Sequence, residues 1–198
     1  MPETKKRVRK TTHHMSPADY LRKHSPIKNG LQIKDEDKPL EKYNRIMPKI
    51  YLGNYQAAKD PVFFKEKKIK AVLNCTKDIP NYFACKKDME YMRIPVDDSL
   101  RQTDFKKMVE FFPVIVEFID KHARLQNESI LIHCYAGRQR SAIAVAAYLV
   151  SKYGLKPADA CKFILDKRKE AFHYGLSLNF DESLDKYYKN MTKKCIKK

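Results

Sequence analysis

Apolar positions are scarce in the first 43 residues and regular after them. Residues 1–43 carry KKRVRK at 5–10 and DEDK at 35–38 with almost no apolar period, which predicts a basic, mostly flexible tail. One short helix is expected there, opened by Ser16 with Pro17 behind it. From residue 44 the texture changes. Within RIMPKIYLGN the run IYL predicts a strand closed by Gly53-Asn54, and 55–68 read as a helix interrupted at Pro61. KIKAVLNC (68–75) and MEYMRIPV (89–96) predict two further strands, the second leading into Asp97-Asp98-Ser99. After Thr103-Asp104, Met108, Phe111, Phe112, Ile115 and Phe118 recur at three-to-four spacing and predict a long helix, with Pro113 as a kink or boundary. ESILIHC (128–134) has the continuous apolar character of a strand buried on both faces. It stops at Tyr135-Ala136-Gly137, and Ser141–Tyr153 form a strong helix ended by Gly154. Two helices follow over about 157–169 and 180–191, the last opened by an Asn179/Glu182 capping box.

Strands alternating with helices predict an α/β three-layer sandwich, a mostly parallel central sheet flanked by helices. The domain spans 44–191, with a basic tail over 192–198.

Composition narrows the setting. The chain has 198 residues, enough for one domain with a core, and no apolar run of the roughly 20 residues that span a bilayer. With no apolar leader at MPETKKRVRK, the expected location is cytoplasmic or nuclear (or a virion interior), not secreted and without a transmembrane segment. Five scattered cysteines without CxxC pairing suggest reduced thiols. No Cys/His cluster has zinc-ligand rhythm, and His13-His14 reads as exposed tail, so neither metal nor cofactor is expected. Cys195 is followed by Ile-Lys-Lys, a poor prenylation box. The net charge of +17 suits polyanionic contacts, lipid or nucleic acid, but much of it reads more simply as solubilising surface and tail lysine. KKRVRK likewise reads as a localisation signal, a nucleic-acid contact or plain tail.

The chemistry concentrates in His133-Cys134-Tyr135-Ala136-Gly137-Arg138-Gln139-Arg140-Ser141, between a buried strand and a long helix. Such a turn offers successive backbone amides and a helix N-terminus, an anion cradle. Gly137 lets the backbone turn so the amides converge. A cysteine at the strand end has its thiolate favoured by those amides and by Arg140. Arg140 carries a planar fork for two phosphate oxygens, and Ser141 is placed to hydrogen-bond the sulfur.

These residues resemble the His-Cys-x5-Arg-Ser/Thr signature of the protein tyrosine phosphatase superfamily, and its dual-specificity branch more closely. The likeness covers about 45–190, and RIMPKIYLGNYQAAKD resembles the opening of that domain, especially in small phosphatases of poxviruses and other large DNA viruses. The resemblance implies that Cys134 is the nucleophile and forms a phosphocysteine, while Arg140 binds the phosphoryl oxygens over a loop of Tyr135, Ala136, Gly137, Arg138, Gln139 and Arg140. It also implies that His133 supports the cysteine's environment and Ser141 assists the leaving sulfur. The general acid matches Asp98 in IPVDDS, with Asp97 as fallback. Ala142 stands where the family often has glycine. Cys75 is a buried structural cysteine or, as in some members, a partner protecting the nucleophile through a disulfide. Phe172-His173-Tyr174 lines the site's rim or packs as ordinary loop.

Three functions stay open. The first is dual-specificity hydrolysis of phosphotyrosine and phosphoserine/phosphothreonine on phosphorylated proteins, with a homodimer also open. The second is a phosphoinositide or phospholipid phosphatase of the same mechanism, suggested by Arg138 and the basic surface, or an RNA 5′-phosphatase, which suits the net charge although Ala136 stands where that branch usually has histidine. The third is a non-catalytic module that binds phosphoproteins.

Overall fold

Period-two alternation along the central strands sorts the core into two clusters. A computed structural model describes residues 41–97, 102–172 and 178–196. Its strands are β1 (Tyr43–Met47), β2 (Ile50–Gly53), β3 (Ile69–Asn74), β4 (Glu90–Arg93) and β5 (Ser129–His133). Its helices are α1 (Tyr55–Ala58), α2 (Pro61–Glu66), α3 (Gln102–Asp120), α4 (Arg140–Tyr153), α5 (Pro157–Lys167) and α6 (Leu178–Ile196). Ala71, Leu73, Ile130 and Ile132 join the cluster that α3 to α6 cover. Val72 and Leu131 point to the other face, against Ala57, Ala58, Phe63 and Phe64 of α1 and α2. Helices on both faces of one sheet give the three-layer α/β fold.

The sheet order is β1-β2-β5-β3-β4. All pairings are parallel except β1 with β2, which is antiparallel and places β1 on the edge. β5 lies in the middle, so its carboxyl end opens into the crevice where α/β sheets bind ligands.

Several boundaries differ from the expectation. β1 begins at Tyr43 and reads as too polar for a strand, because an edge strand buries only part of itself; Ile46 is its one buried side chain. The folded domain therefore reaches back past 44. Residues 55–68 are two helices, since Asn54 caps α1 while Asp60, with Pro61 behind it, caps α2. Pro113 neither ends nor divides α3: it faces solvent, and burial of Met108, Phe112, Ile115 and Ile119 outweighs one missing backbone bond. A π-helical turn, Lys121–Leu125, ends that helix instead. α6 continues to Ile196, into the stretch expected as a tail from 192. The helix expected at Ser16, the side chains of the Asn179/Glu182 box, and Asp98, His173 and Tyr174 lie outside the described residues. Among the described residues no helix is long and apolar enough to cross a membrane.

Candidate active site

At the end of β5 the chain turns sharply into α4, and the turn is held from outside. The carbonyl of Tyr135 accepts from the amide of Tyr55 at 3.0 Å, and that of Arg138 from the amide of Phe172 at 2.8 Å. Between them, Arg168 donates from Nε to the Gly137 carbonyl at 2.8 Å and from Nη2 to the Ala136 carbonyl at 3.4 Å. In a trans peptide unit N–H and C=O point opposite ways. Four carbonyls tied outward therefore turn the amides of Ala136, Gly137, Arg138 and Gln139 inward.

The thiol of Cys134 sits at the centre. Its Sγ accepts from the Gly137 amide at 3.2 Å and from Ser141 Oγ at 3.2 Å. Cys134 and Ser141 are buried, as is Arg140 in the first turn of α4. Gly137 has φ 69°, and a Cβ there would lie 2.5 Å from the carbonyl oxygen of Gly53. Both the left-handed backbone and the close approach to the β2 end demand glycine.

Arg140 also ties the loop to its neighbour: Nη1 donates to the Val96 carbonyl at 3.0 Å, just before Asp97-Asp98. Asp97 is ion-paired to Lys77, and that hydrogen bond holds its carboxyl below the usual carboxylate range, with Arg140 and Lys107 adding to the effect. Lys77 belongs to a loop gathered by Arg93, which donates to the carbonyls of Thr76, Lys77 and Ile79. Buried Asn74 braces the same loop through Ile79 and Thr76.

Burial pushes the His133 imidazole down to about 4, so it is neutral near pH 7. Its Nδ1 lies 3.3 Å from the Cys134 carbonyl, and since a carbonyl only accepts, Nδ1 carries the proton. Cys75 directly follows β3, the strand beside β5, its amide donating to the His133 carbonyl at 2.8 Å. Burial, reinforced by Cys134's charge, pushes the Cys75 thiol up, so it stays protonated. Cys161 is buried in α5.

The structure thus brings together His133, Cys134, Gly137, Arg140 and Ser141, with Tyr135 on the surface and Ala136, Arg138 and Gln139 completing the loop. Of the aromatic segment, Phe172 meets the loop through its amide. Arg168 was missed. Within KRKEAF it reads as one more surface cation, yet it is 1% exposed, and burial lowers its pKa. Tyr55, which stacks on Tyr135, was missed as well.

The chain is similar to known proteins over most of its length. Residues 50–190 match the family model described as dual specificity phosphatase, catalytic domain. The chain is 36% identical over 146 residues to human (Homo sapiens) dual specificity protein phosphatase 9, covering 71% of this chain and 36% of that protein. It is 34% identical over 137 residues to dual specificity protein phosphatase Mpk3 of Drosophila melanogaster, covering 68% and 32%. The chain therefore spans about a third of the length of these curated relatives. Among solved structures, human DUSP28 superposes with a TM-score of 0.64 at 21% identity, covering 78% of this chain and 97% of that one, a likeness of fold.

Proposed function

Because this chain belongs to the dual specificity phosphatase family, we propose that it hydrolyses phosphotyrosine and phosphoserine or phosphothreonine on proteins through a phosphocysteine intermediate. The observation that carries this reading is the doubly hydrogen-bonded sulfur. Cys134 Sγ receives an amide and a hydroxyl inside a loop whose remaining amides face the same way.

In the first step the Cys134 thiolate attacks phosphorus, an S–P bond forms and the ester P–O bond breaks. The departing oxygen takes its electron pair and a proton from the Asp98 carboxyl. Arg140 and the loop amides hold the three phosphoryl oxygens as charge builds on them. In the second step water attacks phosphorus, its proton passes to the Asp98 carboxylate and the S–P bond breaks. Ser141 hydrogen-bonds the sulfur as it regains its charge. Asp97 is a poor acid because its pair with Lys77 favours the ionised form. Asp98 is the remaining carboxyl of that segment.

Half-buried Arg138, whose Nε has no hydrogen-bond partner, favours a second reading: a more highly charged phosphoester such as an inositol lipid. The free thiols of Cys75, Cys85, Cys134 and Cys161 suit the reducing cytosol or nucleus. The test is metal-free turnover by the wild type and Cys134→Ser of phosphotyrosine and phosphothreonine peptides, a phosphoinositide and a 5′-triphosphorylated RNA. Turnover of both peptides above the rest, abolished by the substitution, supports the protein reading. Preference for lipid or RNA moves the function to the second, and tight peptide binding without turnover means a binding module.

A further inference from the structure

Tyr135 directly follows the nucleophile, so its Cα lies about 3.8 Å from that of Cys134. Its side chain is 58% exposed, unusual for a large ring in a loop otherwise tucked into the fold. It is not a loose surface tyrosine. The ring stacks on Tyr55, with centroids 5.1 Å apart and planes inclined by 19°. The backbone is fastened at the same place, the Tyr55 amide donating to the Tyr135 carbonyl at 3.0 Å. Tyr55 is the first residue of α1, whose start is fixed by buried Asn54, and the Lys59 ammonium lies 5.0 Å from the Tyr55 ring centre. One ring is thus braced by another on a capped helix, with much of its surface left to solvent. A ring held this way loses little freedom when a second ring stacks on it.

The loop fixes the phosphate, so whatever the ester oxygen carries emerges beside a loop whose exposed ring is that of Tyr135, the residue next to the nucleophile. In phosphotyrosine that substituent is a flat aromatic ring, which gains from stacking on another ring. In phosphothreonine it is a short alkyl stem, which gains much less. A nucleobase is a ribose further from its 5′-phosphate and is worse placed to meet a residue adjacent to the nucleophile. We propose that Tyr135, braced by Tyr55, forms an aromatic subsite that favours phosphotyrosine over phosphothreonine substrates. The inference deepens the protein-phosphatase reading and rests on it.

The experiment compares one peptide sequence carrying phosphotyrosine or phosphothreonine at the same position, with a 5′-phosphorylated oligonucleotide as third substrate. Tyr135→Leu should lower the phosphotyrosine-to-phosphothreonine ratio of kcat/KM by about three- to tenfold, the size of one aromatic pair. The loss should fall mainly on KM for phosphotyrosine. Tyr135→Phe should keep the ratio, and Tyr55→Leu should lower it in the same direction. Equal losses on both peptides would make Tyr135 a support for the loop and overturn the subsite. A loss confined to the oligonucleotide would make it a base reader and also overturn it. Binding reads the same subsite without turnover. In a Cys134→Ser background, Tyr135→Leu should weaken the phosphotyrosine peptide by the same factor relative to the phosphothreonine peptide. Absence of peptide hydrolysis in the wild type with that binding difference intact would overturn the protein-phosphatase reading alone; equal weakening of both peptides would overturn the subsite.

Discussion

Arg168 Nε donates to the carbonyl of Gly137 at 2.8 Å, across the back of the loop that holds the nucleophile. The same guanidinium reaches the carbonyl of Glu41 from Nη1 at 3.2 Å, just before β1. One buried cation at the end of α5 therefore joins three parts of the fold: the helix it caps, the edge strand and the phosphate loop. Because the peptide unit is rigid, pulling the Gly137 carbonyl backward aims the next amide forward.

Replacing Arg168 should accordingly harm catalysis more than a surface substitution could. Arg168→Leu leaves the Gly137 and Glu41 carbonyls without that donor, a loss of about 3 kcal/mol or more in urea unfolding. Arg168→Lys keeps the charge but cannot reach both carbonyls from a single ammonium, and should remain folded with kcat down by about a hundredfold. Both are read from unfolding curves and steady-state rates on one protein preparation. An Arg168→Lys enzyme with wild-type kcat would reduce the residue to a clasp between α5 and β1.

Ser141 Oγ donates to Cys134 Sγ, and that bond matters most when sulfur departs from phosphorus with its electrons. Ser141→Ala should slow phosphocysteine breakdown by about ten- to a hundredfold, the worth of one hydrogen bond to a charged group, while sparing its formation. Quenched-flow assay with an aryl phosphate should then show a burst of phenol equal to the enzyme, followed by slow turnover. Slowing without a burst would place the hydroxyl in the first step.

The strand-loop-helix around Cys134 was legible in the sequence because its signals are local: a β-branched run, a glycine and a helical period within a few turns of chain. Pairing of β3 with β5, which sets Cys75 beside the end of β5, has no local signal in the sequence and shows only in the fold. What escaped depends on distant partners. Tyr43–Met47 does not announce itself as a strand because Ile46 is its one fully buried side chain, with Tyr43 and Met47 only partly buried against the core. Arg168 reads as surface because nothing near residue 168 announces carbonyls at 41, 136 and 137. Pro113 misled in the other direction, since its local penalty is visible in the sequence and the burial that outweighs it is not.

The two aspartates of the IPVDDS segment should separate sharply. Asp97 is engaged by Lys77 and held ionised, whereas a general acid must enter the reaction protonated. Asp98→Asn should lower kcat on a phosphothreonine peptide by about 10²- to 10⁴-fold, and less on p-nitrophenyl phosphate, whose leaving group needs little protonation. Asp97→Asn should change either rate by no more than about fivefold, the scale of an exposed ion pair. The opposite pattern would transfer the acid role to Asp97.

His133 makes stability depend on pH in a window set by its burial. Its folded value is about 4 against an ordinary 6.5, so between those limits the unfolded chain binds a proton that the folded chain refuses. Stability must therefore rise with pH across the window. The contribution is complete above about 6.5, is lost progressively as pH falls toward 4, and amounts to about 3 kcal/mol in all. Asp120, held down to about 2 chiefly by its hydrogen bond from Arg124, acts in the same direction but below its ordinary 3.8, outside the window. Urea unfolding of wild type and His133→Asn between pH 7.5 and 4 isolates the effect, because the asparagine has no proton to take up. The wild-type curve should fall more steeply than the variant's through the window. Parallel curves would mean that the imidazole accepts its proton inside the fold, and that its Nδ1–H on the Cys134 carbonyl does not depend on a neutral ring.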